Sequence, residues 1–302
     1  MGDGLGIRHS DGSTAGEVGA NEALAAPPSG LVLLAHNWPH FEARFSGRML
    51  MLSGFQGFKG RRIGGGLRGE VRAFSDDSRM RLLQTVAAIP WDQLGTALMV
   101  TLTYPGEAEY VPRSGQAAKA HLRAFRKRWE RRWGPMQAVW KLEFQRRGAI
   151  HWMLCVVAPR GVSLTRLREW VSWSWWQIVG SGRETHKRAG TQVKVWQGDP
   201  SWYFAKYATK GGHPDKEYQH EVPSWMLDVG RWWGVWRLRP EWCRVPLTES
   251  EFAALRRVVV RLRRSRGHRR YRVRGLRGCW LVSKEQSGQL AASLLRWLEQ
   301  GG

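Results

Sequence analysis

Acid is scarce in this chain. Of its 302 residues, 25 are Asp or Glu against 48 Lys or Arg, a formal charge of +23. So basic a balance implies a polyanionic partner, most often nucleic acid, with an anionic membrane surface as the competitor. Long apolar runs are missing too: no stretch reaches 18 residues, so nothing in the sequence spans a bilayer. The N-terminus lacks the basic-then-apolar pattern of a secretory signal, and the apolar run at 31–35 is too short and too far in. Cysteine is sparse. Cys155, Cys243 and Cys279 are odd in number, widely spaced and without a paired-Cys metal motif, as expected of reduced thiols in a cytoplasmic protein. There is no Gly-x-x-x-x-Gly-Lys-Ser/Thr phosphate loop, which argues against a built-in helicase. No pair of carboxylates stands out for general acid/base work. What is plentiful is tryptophan: 19 indoles, many of them core, the rest suited to stacking unpaired bases.

The length allows one large domain or two small ones, and the composition changes twice along it. Residues 1–68 are Gly-, Ala- and Ser-rich, with a break at Gly64-Gly65-Gly66, and are expected to be a flexible N-terminal region. Ser75-Asp76-Asp77 can cap a helix that Pro90 ends, and 97–104 is a β-branched, buried strand closed by Pro105-Gly106. Over 115–132, Leu122, Phe125 and Trp129 recur at helical spacing while Arg123 and Lys127 belong to a basic face, which is either simply solvated or tracks a phosphate backbone. A helix capped by Ser163 or Thr165 and an alternating strand at 191–196 follow. Beyond Pro240 the chain becomes strongly basic: from Arg256 to Arg277 there are eleven arginines and no acid. Helices are expected at 248–264 and 286–299. The arginine run is read as a phosphate clamp, through Arg256, Arg257, Arg263, Arg264, Arg269 and Arg270, rather than as a solvated tail.

Two stretches carry chemistry. The apolar runs 138–145 and 149–158 flank Arg146-Arg147-Gly148, which fits a three-residue hairpin loop with glycine at a positive φ. Gln145 then pairs with Ala149, and Glu143 lies directly opposite His151, with Cβ atoms ~4.5–5.5 Å apart. A carboxylate and an imidazole so placed can share a divalent cation such as Mg²⁺ or Mn²⁺, or can be a buried hydrogen-bonded pair. The other stretch is 202–210, Trp-Tyr-Phe-Ala-Lys-Tyr-Ala-Thr-Lys, preceded by Asp199-Pro200 and followed by Gly211-Gly212. As a helix it sets Tyr203 and Tyr207 one turn apart on one face, each followed three residues later by a lysine, Lys206 and Lys210. A phenol beside a lysine can act as a nucleophile, because the positive charge favours phenolate and holds a phosphate. The plainer alternative is an amphipathic helix with core aromatics and solvated lysines.

The strand Val100-Thr101-Leu102-Thr103-Tyr104, the segment from Glu143 to Met153, and the segment from Tyr203 to Lys210 occur in that order. Together they resemble the three motifs of rolling-circle replication initiators of the HUH endonuclease superfamily, from bacteriophages and small plasmids. The double tyrosine is similar to the phage gene A type. The resemblance covers roughly residues 70–240, and three motifs in order are far more specific than any one. There is one departure: the family's second motif is histidine, bulky apolar residue, histidine, and here Met153 follows His151-Trp152. A thioether is a poor ligand for a hard cation, which leaves water or another residue, such as Gln145, to complete the set.

Helices alternating with a mainly antiparallel sheet suggest an α+β sandwich, which the resemblance sharpens to a ferredoxin-like or RNA-recognition-like sheet with flanking helices, the hairpin central and the tyrosine helix across it. The resemblance implies a nicking-ligating domain over 69–240; the basic composition beyond it reads as a helical DNA-binding segment over 241–302. The resemblance also implies Glu143 and His151 as ligands of Mg²⁺ or Mn²⁺, Tyr203 and Tyr207 as nucleophiles, and Lys206 and Lys210 as stabilisers of developing charge. The reaction would be the nicking of single-stranded origin DNA to give a 5′-phosphotyrosyl link and a free 3′-hydroxyl primer, with religation at termination. The partners would be origin DNA, a host helicase and a replication polymerase, in the cytoplasm of a bacterial host and away from membranes. A transposase or relaxase of the same chemistry, and a non-catalytic basic nucleic-acid-binding protein, are the competing functions.

Overall fold

The computed structural model describes residues 6–7, 40–46, 48–55, 71, 73–208, 218–226, 229–265, 277–281 and 296. The chain divides into two compact units, one of residues 67–241 and the other of 1–66 with 242–302. Among the described residues, no helix is long and apolar enough to cross a membrane.

The 67–241 unit opens with α1 (Asp76–Ala87), whose N-terminus is closed by Ser75 Oγ accepting from Ser78 N at 3.3 Å, and a short α2 (Trp91–Leu94). Then come β4 (Ala97–Thr103), α3 (Gly115–Trp133), β5 (Ala138–Phe144), β6 (Ile150–Val157), α4 (Leu164–Val179), α5 (Glu184–Ala189) and β7 (Thr191–Val195). This is the strand–helix–strand–strand–helix–strand order of a ferredoxin-like fold. The tyrosine helix α6 (Pro200–Ala208) and the edge strand β8 (Trp233–Trp236) complete the unit. The sheet is antiparallel throughout, in the order β7-β4-β6-β5-β8, so β6 is its middle strand.

The two faces of this sheet differ. Leu98, Val100, Leu102, Leu142, Trp152, Leu154 and Val156 are buried and apolar, and this face meets α3 and α4. The contact shows in Arg126 of α3 standing over the Trp236 ring, and in Phe125, Trp129 and Trp170 meeting at 5.9–6.4 Å. Of the α4 indoles, Trp175 is buried and Trp170 packs against the core, while Trp173 is exposed. The opposite face carries Thr101 and Thr103 of β4, His151 and Met153 of β6, and Lys141 and Glu143 of β5. Helices α1 and α6 cover it: Trp233 Nε1 donates to Ser78 Oγ at 3.1 Å, and Ser201 Oγ of α6 reaches the Val86 carbonyl of α1.

The other unit is also a five-stranded antiparallel sheet, ordered β1-β10-β3-β2-β9, from β1 (Gly6–Ile7), β2 (His40–Phe45), β3 (Met49–Phe55), β9 (Cys243–Leu247) and β10 (Arg277–Leu281). Helix α7 (Glu249–Ser265) adds Phe252, Leu255 and Val259 to a core with Phe41, Phe45, Leu50, Leu52 and Trp280. Composition suggests little structure over 1–68, and a helical segment alone over 241–302. In the structure β2 and β3 lie within the first region, and β9 and β10 of the second pair with them. Such a partnership between distant segments leaves no local signal. The helix expected at 286–299 falls outside the described residues.

Candidate active site

The β5–β6 hairpin has the register its loop predicts. Gln145 N donates to the Ala149 carbonyl at 2.9 Å, and Gly148 N donates to the Gln145 carbonyl at 2.8 Å. Gly148 adopts φ +79°, where an L side chain is strained. Glu143 is paired directly with His151, and Lys141 with Met153. On the far side of β6, Thr103 is paired with His151 and Thr101 with Met153.

These side chains make a small, dense site. Thr103 Oγ1 lies 3.0 Å from His151 Nδ1, which orients the ring and leaves Nε2 as its second functional nitrogen. Burial holds the His151 pKa below the ordinary histidine value; the Glu143 carboxylate raises it and the Lys141 ammonium lowers it. The ring is thus neutral at neutral pH, able to accept a proton or a ligand bond. Tyr203, on the first turns of α6, donates its hydroxyl to Met153 Sδ at 2.9 Å, and its ring packs edge-on against Trp196 at 5.1 Å. The helix starts where Asp199-Pro200 predicts, with Asp199 Oδ1 accepting from Ser201 N at 2.7 Å. The tyrosine and the hairpin, some fifty residues apart in sequence, are therefore one site.

Lys141 is the residue that sequence reasoning passed over. It is fully buried, its Nζ is 2.6 Å from Glu143 Oε1, and it stands 5.3 Å from the centre of the Phe74 ring. The signal was present: a lysine inside the apolar run 138–145, two residues before Glu143 and so on the same strand face. A buried ammonium is tolerated only when paired and hydrogen-bonded, and here the carboxylate serves.

That pairing bears on the divalent ion which the resemblance implies. Glu143 and His151 are two donors, Met153 offers only sulfur, and no group of three or more His, Cys, Asp or Glu suited to a metal stands among the described residues. Gln145 Oε1 accepts from Arg147 Nε at 3.0 Å, an exposed contact within the loop. A divalent ion about 4 Å from the Lys141 ammonium would meet a repulsion on the order of 8 kcal/mol at an effective dielectric of about 20. Among the described residues, those on this face do not make a site for a resident Mg²⁺ or Mn²⁺.

Tyr207 and Lys206 lie on α6 one turn and three residues beyond Tyr203, but their side chains are outside the described residues, as is Lys210 altogether. Arg123 and Lys127 are exposed on α3, which covers the sheet face opposite to the one Tyr203 meets, so the structure does not bring them to the tyrosine. In the other unit, Arg257 and Arg264 are exposed on α7 and Arg256 is half-buried; with Ala253, Val260 and Arg261 they line an open groove of about 440 Å³. The side chain of Arg263, and Arg269 and Arg270 entirely, lie outside the described residues.

No curated protein matches the chain. Residues 97–212 match the family model described as replication-associated protein ORF2/G2P, a span that begins at β4, takes in the hairpin and runs past the tyrosine helix. This match supports a replication initiator family for the chain.

Proposed function

We propose that this chain initiates rolling-circle replication by nicking single-stranded origin DNA through Tyr203 and later rejoining the strand. The observation that carries the proposal is the phenol of Tyr203 resting on Met153, on the strand and face that hold His151, with Glu143 and Lys141 directly across. The match to replication-associated proteins and the basic charge of the chain agree with it.

The phenolic oxygen attacks the scissile phosphorus, a P–O bond to tyrosine forms and the P–O3′ bond breaks. The phenol gives up a proton and the departing 3′ oxygen takes one, so the products are a 5′-phosphotyrosyl link and a free 3′-hydroxyl, with no water or nucleotide consumed. A tyrosine with its usual pKa of ~10 needs the proton accepted nearby, and neutral His151 is the base on this face. Lys206 and Lys210 supply positive charge to the phosphate, and Tyr207 serves as the second nucleophile that reseals the circle. The 3′ end primes a replication polymerase, and a host helicase opens the duplex.

The test is a denaturing gel. The protein is incubated with end-labelled single strands tiled across its own encoding DNA and flanks, and a covalent adduct is sought. One strand should yield an adduct that Tyr203→Phe removes or sharply reduces, while Tyr203→Phe/Tyr207→Phe removes it wholly. If adducts form equally well with the double variant, the tyrosines are not the nucleophiles. If no strand yields one, the chain is a basic DNA-binding protein without nicking activity.

A further inference from the structure

Two departures from a His-x-His metal site face each other across the hairpin. Met153 stands where the second histidine would be, and its direct partner on β5 is Lys141. The Lys141 ammonium, buried and 2.6 Å from Glu143 Oε1, sits on the carboxylate that faces His151 across the hairpin. The Met153 sulfur, a poor ligand for a hard ion, instead accepts the hydroxyl of Tyr203. We propose that Lys141 is the resident cation of this site, held in place of a divalent metal, and that tyrosine attack here requires no divalent ion.

The inference rests on the nicking activity proposed above and adds to it which charge organises the site. Lys141 is a positioning residue: it is wholly buried, and it acts through Glu143 rather than on the DNA. It balances the Glu143 carboxylate, so that this carboxylate neither repels the incoming phosphate nor draws in a metal. Phe74 closes the other side of the ammonium, its ring stacked in turn on Trp232 at 5.7 Å and 11°. Like charge and a thioether both disfavour a metal at this point, and each favours the other's presence: an ammonium needs no second histidine, and a site without that histidine binds metal too weakly to displace an ammonium.

Two measurements on the full chain test this. First, adduct formation by the unaltered protein is compared in excess chelator and in Mn²⁺, and Mn²⁺ binding is followed by its electron paramagnetic resonance signal in the absence of DNA. The expected result is equal adduct in both conditions and no stoichiometric Mn²⁺ bound. Second, Lys141→Met/Met153→His restores the histidine and removes the ammonium. It should bind one Mn²⁺, lose that ion on a further Glu143→Gln change, and make any adduct chelator-sensitive. The inference is overturned if the unaltered protein binds one Mn²⁺ that Glu143→Gln abolishes, or if chelator abolishes its adduct and Mn²⁺ restores it. In that second case the nicking activity stands while the role of Lys141 falls. If no adduct forms in any condition but Mn²⁺ binds only to the doubly altered protein, nicking falls and the assignment of Lys141 as resident cation stands. The arm on the unaltered protein decides the matter even if the variants fold poorly.

Discussion

Removing either partner of the Lys141–Glu143 pair should destabilise the 67–241 unit far more than removing both. Lys141 is wholly buried and the Glu143 side chain is 7% exposed, so neither charge can turn to water when its partner is lost. Breaking a buried pair from one side costs about 3–5 kcal/mol, chiefly because the remaining charge loses its close counter-charge where water does not reach it. Lys141→Met and Glu143→Gln should each cost that much. For a unit running from 67 to 241 this corresponds to a fall in Tm of roughly 6–20 °C. The double variant Lys141→Met/Glu143→Gln leaves no charge, only a buried amide that needs hydrogen-bond partners, and should cost about 1–3 kcal/mol. It should therefore melt above both single variants. Because the chain has two units, the whole-chain melt can have two steps. Amide hydrogen exchange over residues 138–157 reports the hairpin alone, and should show the same ranking as protection lost in β5 and β6. If the double variant costs the sum of the singles to within about 0.5 kcal/mol, the two side chains are not coupled, and the electrostatic description of the site fails.

Gly148→Ala should cost on the order of 1–2 kcal/mol, since the left-handed backbone penalises a Cβ, and that Cβ would stand 2.9 Å from Cζ2 of Trp225; a thermal melt measures it, and adduct yield should fall with it because the loop sets the Glu143–His151 register. Acid should weaken the fold before any carboxylate titrates. His186 Nε2 lies 2.9 Å from the Thr103 carbonyl and its Nδ1 lies 2.8 Å from Ser181 Oγ, and burial holds its pKa down, as it does for His121. The unfolded chain binds these protons first as pH falls below about 6.5, so stability is complete above that value and drops by up to roughly 1.4 kcal/mol per pH unit per histidine until the folded rings protonate; urea midpoints from pH 7.5 to 5 should show it, and a flat profile would contradict it. Replacing Arg256, Arg257, Arg261 and Arg264 with Gln should reduce the slope of log affinity against log salt for single strands by about 3, four contacts at about 0.7 each; an unchanged slope in a filter-binding series removes the α7 groove from the DNA interface.

Local chemistry made much of this protein legible from its sequence. Ser75, Ser114 and Ser163 each close a helix N-terminus through their hydroxyls, as such residues do before an apolar helical stripe. The order β4, α3, β5, β6, α4, β7 follows from where the period changes between two and 3.6 residues. The Arg146-Arg147-Gly148 loop set the register of its hairpin, because a turn of known length between two strands leaves one pairing, and that pairing put Glu143 against His151. All of these are interactions between residues close in the chain, and their rules need no tertiary structure.

What the tertiary structure decided is which distant groups meet, and in what charge state. Tyr203 could have been core or nucleophile as far as its helix spacing went; its contact with Met153, fifty residues away, depends on α6 crossing the middle strand of the sheet. The partnership of β2 and β3 with β9 and β10 is invisible to composition because strand pairing carries no local mark of its partner. Lys141 shows the difference most plainly. Alternation placed it on the same face as Glu143, but only the covering layer, with Phe74 over the ammonium, removed it from water and turned a surface-type lysine into a buried counter-charge. The strength of a charge depends on the solvent left around it, and that is settled by the whole fold rather than by any stretch of sequence.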